Sequence, residues 1–285
     1  MRRRAAHRRD RARRAGDART DPRRMTTGVA YSAEVTAAMW RRSLLEIRRV
    51  RGGMLPTILA PLIFLLGNSG QFGRLGSLAG FPTDSYMAWL LPLACLQGAG
   101  FAGGAAGANL ARDIEQGLFD RLRTSPAPRP LLLAGPVVAS MTRSVIPATA
   151  ILAVGLAFGT GLSGGVLGLL ALYVAALGTC MAAAMWGCLL ALRYRTQQVG
   201  PLIQNGVFLA VFLSTAYTPQ PLLQGWLGTF APYNPFTYVL ELGRQATVSG
   251  VEPSWAHTWP GLVAIAGMVA VLGALALRAL GRIGN

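Results

Sequence analysis

No lysine occurs in the 285 residues: all 27 basic side chains are arginines, set against only 11 acids. A P-loop needs its lysine to reach the β- and γ-phosphates of a nucleotide, so the chain is not a Walker-type ATPase by itself. Schiff-base and catalytic-lysine chemistry are excluded with it. Histidine is nearly absent, and His7 and His257 stand at opposite ends. The three cysteines, Cys95, Cys180 and Cys188, lie in apolar runs without metal-ligand spacing. They read as buried small hydrophobes rather than a metal site. The expectation is therefore no catalytic residue, no metal and no cofactor held by this chain. Charge of either sign is also scarce. Charged residues make up 13% of the chain, whereas a soluble domain carries about a quarter. With 52% apolar residues and a mean hydropathy of +0.41, the chain has the composition of a membrane protein.

The charge that is present is uneven. Residues 1–51 hold 16 arginines and five acids, a net +11, and the rest of the chain carries only +5. No aromatic interleaving accompanies this arm, so nucleic acid is not an expected partner. A cytoplasmic tail beside anionic lipid is the simpler reading, each arginine near the leaflet contributing about 1 kcal/mol. Low hydrophobicity and like charge predict disorder over 1–32. Over 33–51, Met39, Trp40, Leu44, Ile47 and Val50 share one helical arc, and Arg41, Arg42, Arg48 and Arg49 share the other. That pattern predicts an amphipathic helix lying on the inner leaflet, or else docking on a partner by the same face.

A bilayer core of about 30 Å takes about 20 mostly apolar residues per helix. Six stretches qualify: 54–72, 86–110, 131–158, 165–192, 199–217 and 259–280. With the N-terminus inside, the inner segments collect 24 arginines, whereas the outer ones hold only Arg74 and Arg244. The positive-inside rule then puts both termini in the cytoplasm. Arg143 is the single charge within a span and has two readings, lipid anchoring by snorkelling or a contact with substrate. No acid lies in any span, which argues against ion- or proton-coupled transport and against intramembrane metal chemistry. The second span carries Gly100–Gly104 and Gly103–Gly107 at the spacing of close helix packing. Between the second and third spans, Ile114, Leu118 and Leu122 form an apolar stripe on a short helix over 112–123, ended by Pro126, Pro128 and Pro130. The stripe is suited to docking a partner, or to packing beneath its own bundle.

Motif order then identifies a resemblance. Glu115, Gly117, Leu122, Arg123, Pro126 and Leu131–Leu133 resemble the cytoplasmic segment of ABC-2 type permeases, the membrane subunits of bacterial ABC exporters. Asn234, Pro235, Thr237, Tyr238 and Arg244 are similar to that family's signature after the fifth span. The opening PTILAPLIFLLG resembles the first span of the daunorubicin-resistance branch, and the likeness covers about residues 33–285. One departure is that the fifth span ends in LSTAYTPQPLLQGW, with Ala216 and Tyr217 where the family has a small residue and glycine before an aromatic-proline step.

The resemblance implies an all-α membrane fold of six spans within 52–285, with a re-entrant outer segment over 218–258 anchored by Trp226 and Trp255. It implies a separate ATP-binding subunit that binds the nucleotide, and a second permease, identical or different. Ile114, Glu115, Gly117, Leu118, Leu122 and Arg123 would couple to that ATPase. Phe64, Gln97, Asn109, Gln204, Asn205, Phe208, Phe212 and Ser214 would line the substrate path. Apolar walls with a few amides suit a hydrophobic or amphipathic drug, lipid or antibiotic moved across the bacterial cell membrane. The competing reading is a six-span assembly or immunity protein that transports nothing.

Overall fold

The computed structural model describes residues 55–117 and 131–282, and among these only helices and turns occur. Eight α-helices follow in order: α1 (Leu55–Phe72), α2 (Tyr86–Glu115), α3 (Leu131–Ala157), α4 (Gly165–Tyr194), α5 (Gly200–Phe212), α6 (Gly225–Phe230), α7 (Pro235–Arg244) and α8 (Trp255–Arg282). The tail over 1–32, the amphipathic stretch over 33–51 and residues 118–130 lie outside the described residues.

Helix α2 is the axis of the bundle. It starts where Ser85 Oγ accepts the N–H of Ala88 at 3.3 Å, an ordinary N-cap. Of its apolar window 89% is buried, against 17% for α1 and 11% for α8, so those two present most of their surface outward. Small residues let α4 come close to α2. A Cβ on Gly103 would stand 2.2 Å from the carbonyl oxygen of Cys180, and one on Gly107 would stand 2.3 Å from the backbone of Gly187. The glycine spacing anticipated such a contact, and the structure supplies its partner. Helix α1 meets the bundle by a narrow stripe, Thr57, Pro61 and Leu65. Arg143 sits half-buried on α3 between the buried Ser140 and Ser144.

Five helices, α1, α2, α3, α4 and α8, are long and apolar enough to cross a membrane. The span expected over 199–217 is helical only over Gly200–Phe212. Its 13 residues rise about 20 Å, short of a bilayer core. The separate short helix expected over 112–123 is corrected at its start. Residues 112–115 are the last turn of α2, which is closed by Gly117 at φ +71°.

Candidate functional site

The abrupt end of α5 has an identifiable cause. Beyond Phe212 the chain bends through 213–218, leaving carbonyls without a helical ladder. Away from water such groups must find other donors. Asn234 Nδ2 donates to the carbonyls of Ala210 at 2.7 Å and Leu213 at 2.9 Å. Arg244 Nη2 donates to those of Thr215 at 2.6 Å and Ala216 at 3.1 Å. Tyr86 OH donates to that of Tyr217 at 3.2 Å. Three side chains from α2 and the α7 region thus stand in for the next turn of helix.

Arg244 is fully buried and its fork is well used. Nη1 also reaches Glu241 Oε1 at 2.8 Å and Thr215 Oγ1 at 3.2 Å, and Cζ lies 3.3 Å from the centre of the Trp89 ring. Asn234 caps α7 as well, its Oδ1 accepting the N–H of Phe236, with Pro235 in the first helical position where no N–H is needed. Thr237 Oγ1 donates to Ala231 O and Tyr238 OH to Pro232 O, tying α7 to the turn before it. Every residue of the expected signature therefore has a structural task, and they lie in one place.

The segment after α5 consists of short elements, a turn over Gln220–Leu222, then α6, then Ala231–Tyr233 and α7, and α8 begins already at Trp255, inside the stretch expected to precede the last span. Trp226 and Trp255 stand exposed at 68% and 73%. The return into α8 is held by Thr247 Oγ1 on Ala88 O and by Gln245 Oε1, which accepts from Ser254 N and Thr258 Oγ1.

A cleft of about 400 Å³ opens between α1, α2 and α5 beside this clasp. Phe64, Phe208, Phe212 and Ser214 of the expected path line it. Phe64 and Phe208 rings lie 5.8 Å apart, Phe208 stacks on Phe212 at 5.8 Å, and Phe212 meets Tyr217 at 5.6 Å. Gln97 is buried behind this wall, around a small gap shared with Phe64 and Tyr217. The other three lie elsewhere. Gln204 turns to α2, donating to Phe101 O at 3.4 Å, Asn205 is exposed, and Asn109 is half-buried further along α2. Asn68, Tyr86 and Thr218 also line the cleft and escaped the sequence reading, because no periodicity distinguishes them from other span-end polar residues.

The residues expected to couple to an ATPase divide likewise. Ile114 packs against a buried cluster that includes Leu110, Ala111, Val199 and Ile203, so this member of the stripe does have a core. Glu115 is exposed, and its Oε2 accepts the N–H of Gln197 at 2.9 Å. Gly117 is the left-handed residue after α2, and Leu118, Leu122 and Arg123 lie outside the described residues.

The chain is 28% identical over 256 residues to the daunorubicin resistance ABC transporter permease protein DrrB1 of Streptomyces coeruleorubidus, covering 90% of this chain and 88% of that one. The profile of the ABC-2 type transporter family matches residues 34–248, which include α1, the aromatic cleft and the whole α5–α7 clasp. The chain is a multi-pass membrane protein that belongs to the ABC-2 type transporter family.

Proposed function

We propose that this chain is the permease subunit of an ABC exporter, moving a hydrophobic or amphipathic molecule across the cell membrane. ATP is bound and hydrolysed on a separate subunit, and two permeases, identical or different, enclose the path. The observation that carries this reading is the aromatic cleft beside a side-chain-built break in α5. Its rings offer apolar contact, and Asn68, Ser214 and Thr218 offer the few polar groups that orient a ligand. ATP binding has to favour one state by differential contacts, since a ligand equal for both shifts nothing.

Six crossings with both termini inside fit this reading. The stretch 200–217 makes the fifth, the residues beyond α5 completing the passage where their carbonyls are satisfied by protein. Single cysteines at the exposed Ser77 and Ser249 should react with an impermeant thiol reagent in intact cells, while one at Ser125 should not. The native cysteines are buried and give a low background. Labelling at 125 from outside would overturn the orientation.

The segment 112–123 docks the ATPase in this reading, with Leu118 and Leu122 as the buried contacts. Burial of one leucine contributes about 1.5–3 kcal/mol, so Leu118→Asp should cut recovery of a co-expressed ATP-binding subunit by about tenfold or more. The relative is named for daunorubicin resistance, which makes daunorubicin the first probe for ATP-dependent uptake into inside-out vesicles. Full ATPase recovery with Leu118→Asp would move the docking site elsewhere. A wild-type chain that binds no ATP-binding subunit would favour the non-transporting alternative.

A further inference from the structure

The end of α2 grips the start of α5. Glu115, the last residue of α2, accepts the backbone N–H of Gln197 at 2.9 Å, and Arg112 one turn earlier donates from Nε to Gln197 Oε1 at 3.4 Å. Gln197 opens a short 3₁₀ turn over Gln197–Val199 that runs directly into α5 at Gly200. The carboxylate therefore sits at the positive end of a helical segment, where a charge-assisted bond to an N–H is favoured. Beneath this polar grip, Val199 and Ile203 share one buried cluster with Leu110 and Ala111, and Ile114 packs against it, so the two ends are joined both by hydrogen bonds and by an apolar cluster.

We infer that Glu115 and Arg112 are positioning residues that clamp α5 to the segment docking the ATPase, so that movement of that segment passes directly to the cleft. This rests on the proposed reading of 112–123 as the docking segment and adds the route by which its movement reaches the substrate. The lever is short and stiff. Phe208 and Phe212 lie on α5, about 18 Å from its start at the far one, so a tilt of about 10° about that start displaces Phe212 by about 3 Å. A displacement of that size would separate the tilted ring pairs Phe64–Phe208 and Phe212–Tyr217, which close the wall of the cleft. Glu115, expected among the residues that couple to the ATPase, gives one carboxylate oxygen to a backbone N–H of its own chain.

The backbone offers a clean test. Thr196 is extended (φ −136°, ψ 148°), which suits the residue before a proline, and Gln197 is in the first helical position, which tolerates proline and needs no N–H. Gln197→Pro thus deletes the donor while keeping the turn. Gln197→Ala keeps the donor and removes only the side chain that Arg112 holds. These variants, Glu115→Ala, Glu115→Gln and the double Glu115→Ala/Gln197→Pro are each reconstituted with the ATP-binding subunit in phosphatidylethanolamine–phosphatidylglycerol vesicles. Two quantities are read: acceleration of ATP hydrolysis over the isolated subunit, per subunit bound, and the emission shift on ATP–vanadate trapping of bimane at Leu209, an exposed position on α5.

Glu115→Ala and Gln197→Pro should each lower the acceleration about fivefold or more and abolish the emission shift. The double variant should do no worse than the poorer single one, since both break one contact. Glu115→Gln, still an acceptor, should recover at least half, Gln197→Ala should lose about twofold, and Gln197→Pro should bind the ATP-binding subunit fully. Wild-type coupling in Gln197→Pro, or losses that multiply in the double variant, overturns the clamp. Loss of subunit binding in Glu115→Ala but not in Gln197→Pro also overturns it, by showing that Glu115 meets the partner directly. A wild-type chain that recovers no ATP-binding subunit takes down the docking reading and the clamp together.

Discussion

Arg244→Met is expected to lower the apparent Tm in detergent by about 10 °C, while Arg74→Met, an exposed change on the loop after α1, leaves it within a degree or two. The methionine keeps most of the length but none of the donors. The carbonyls of Thr215 and Ala216 then have no partner where water is scarce, and each such orphan costs about 1–3 kcal/mol. The stacking of the guanidinium on Trp89 goes too, worth about 2 kcal/mol when desolvated. Removing one member of a buried charged set costs about 3–5 kcal/mol in general, which agrees with that sum after partial relaxation. Glu241→Gln is the informative contrast. Its carboxylate is one-third exposed and glutamine keeps an acceptor for Arg244 Nη1, so this change should cost clearly less than loss of the arginine. Arg244→Lys should behave like Arg244→Met, because one ammonium cannot span two carbonyls, Thr215 Oγ1 and Glu241 together. A Tm unchanged in Arg244→Met would mean that the break after α5 is held by Asn234 and Tyr86 alone.

The second large effect concerns the crossing of α2 and α4. Gly107→Ala should abolish most of the folded yield, measured as the monodisperse fraction on size exclusion, and Gly107→Leu should abolish all of it. The added Cβ meets the backbone of Gly187 rather than a flexible side chain, so only separation of the helices by about 1 Å relieves it. Overpacking of that kind costs about 1–3 kcal/mol locally, and here it strips contacts along the axis of the bundle as well. Gly67→Ala on α1 should have the opposite sign. A Cβ there meets nothing within 4 Å, and alanine is favoured over glycine within a helix by about 1 kcal/mol. Equal tolerance at the two positions would mean that α2 and α4 do not cross at Gly107 and Gly187.

Much of this protein could be read from its residues in order. Apolar runs of membrane length predicted α1, α2, α3, α4 and α8 within a few residues of their ends, because a run of that length has little choice but to form a helix in lipid. Glycine spacing announced that α2 would be closely approached, and the Asn-Pro and Arg motif announced that the region after α5 mattered. The length of α5 was not legible. Its sequence carries no charge or proline between Pro201 and Tyr217 to mark an end, and the helix stops at Phe212 because donors from Tyr86, Asn234 and Arg244 replace its last turn, a condition set by residues up to 131 positions away. The partition of the expected path was equally hidden: Phe208 and Phe212 face the cleft, whereas Gln204 faces α2. The bond that Glu115 makes to Gln197 was hidden for the same reason. Sequence determines which segments are helical and which side chains are scarce, since those depend on local composition and spacing. Only tertiary packing decided which carbonyls the rare donors satisfy, and with that where α5 ends, where the cleft opens and what Glu115 holds.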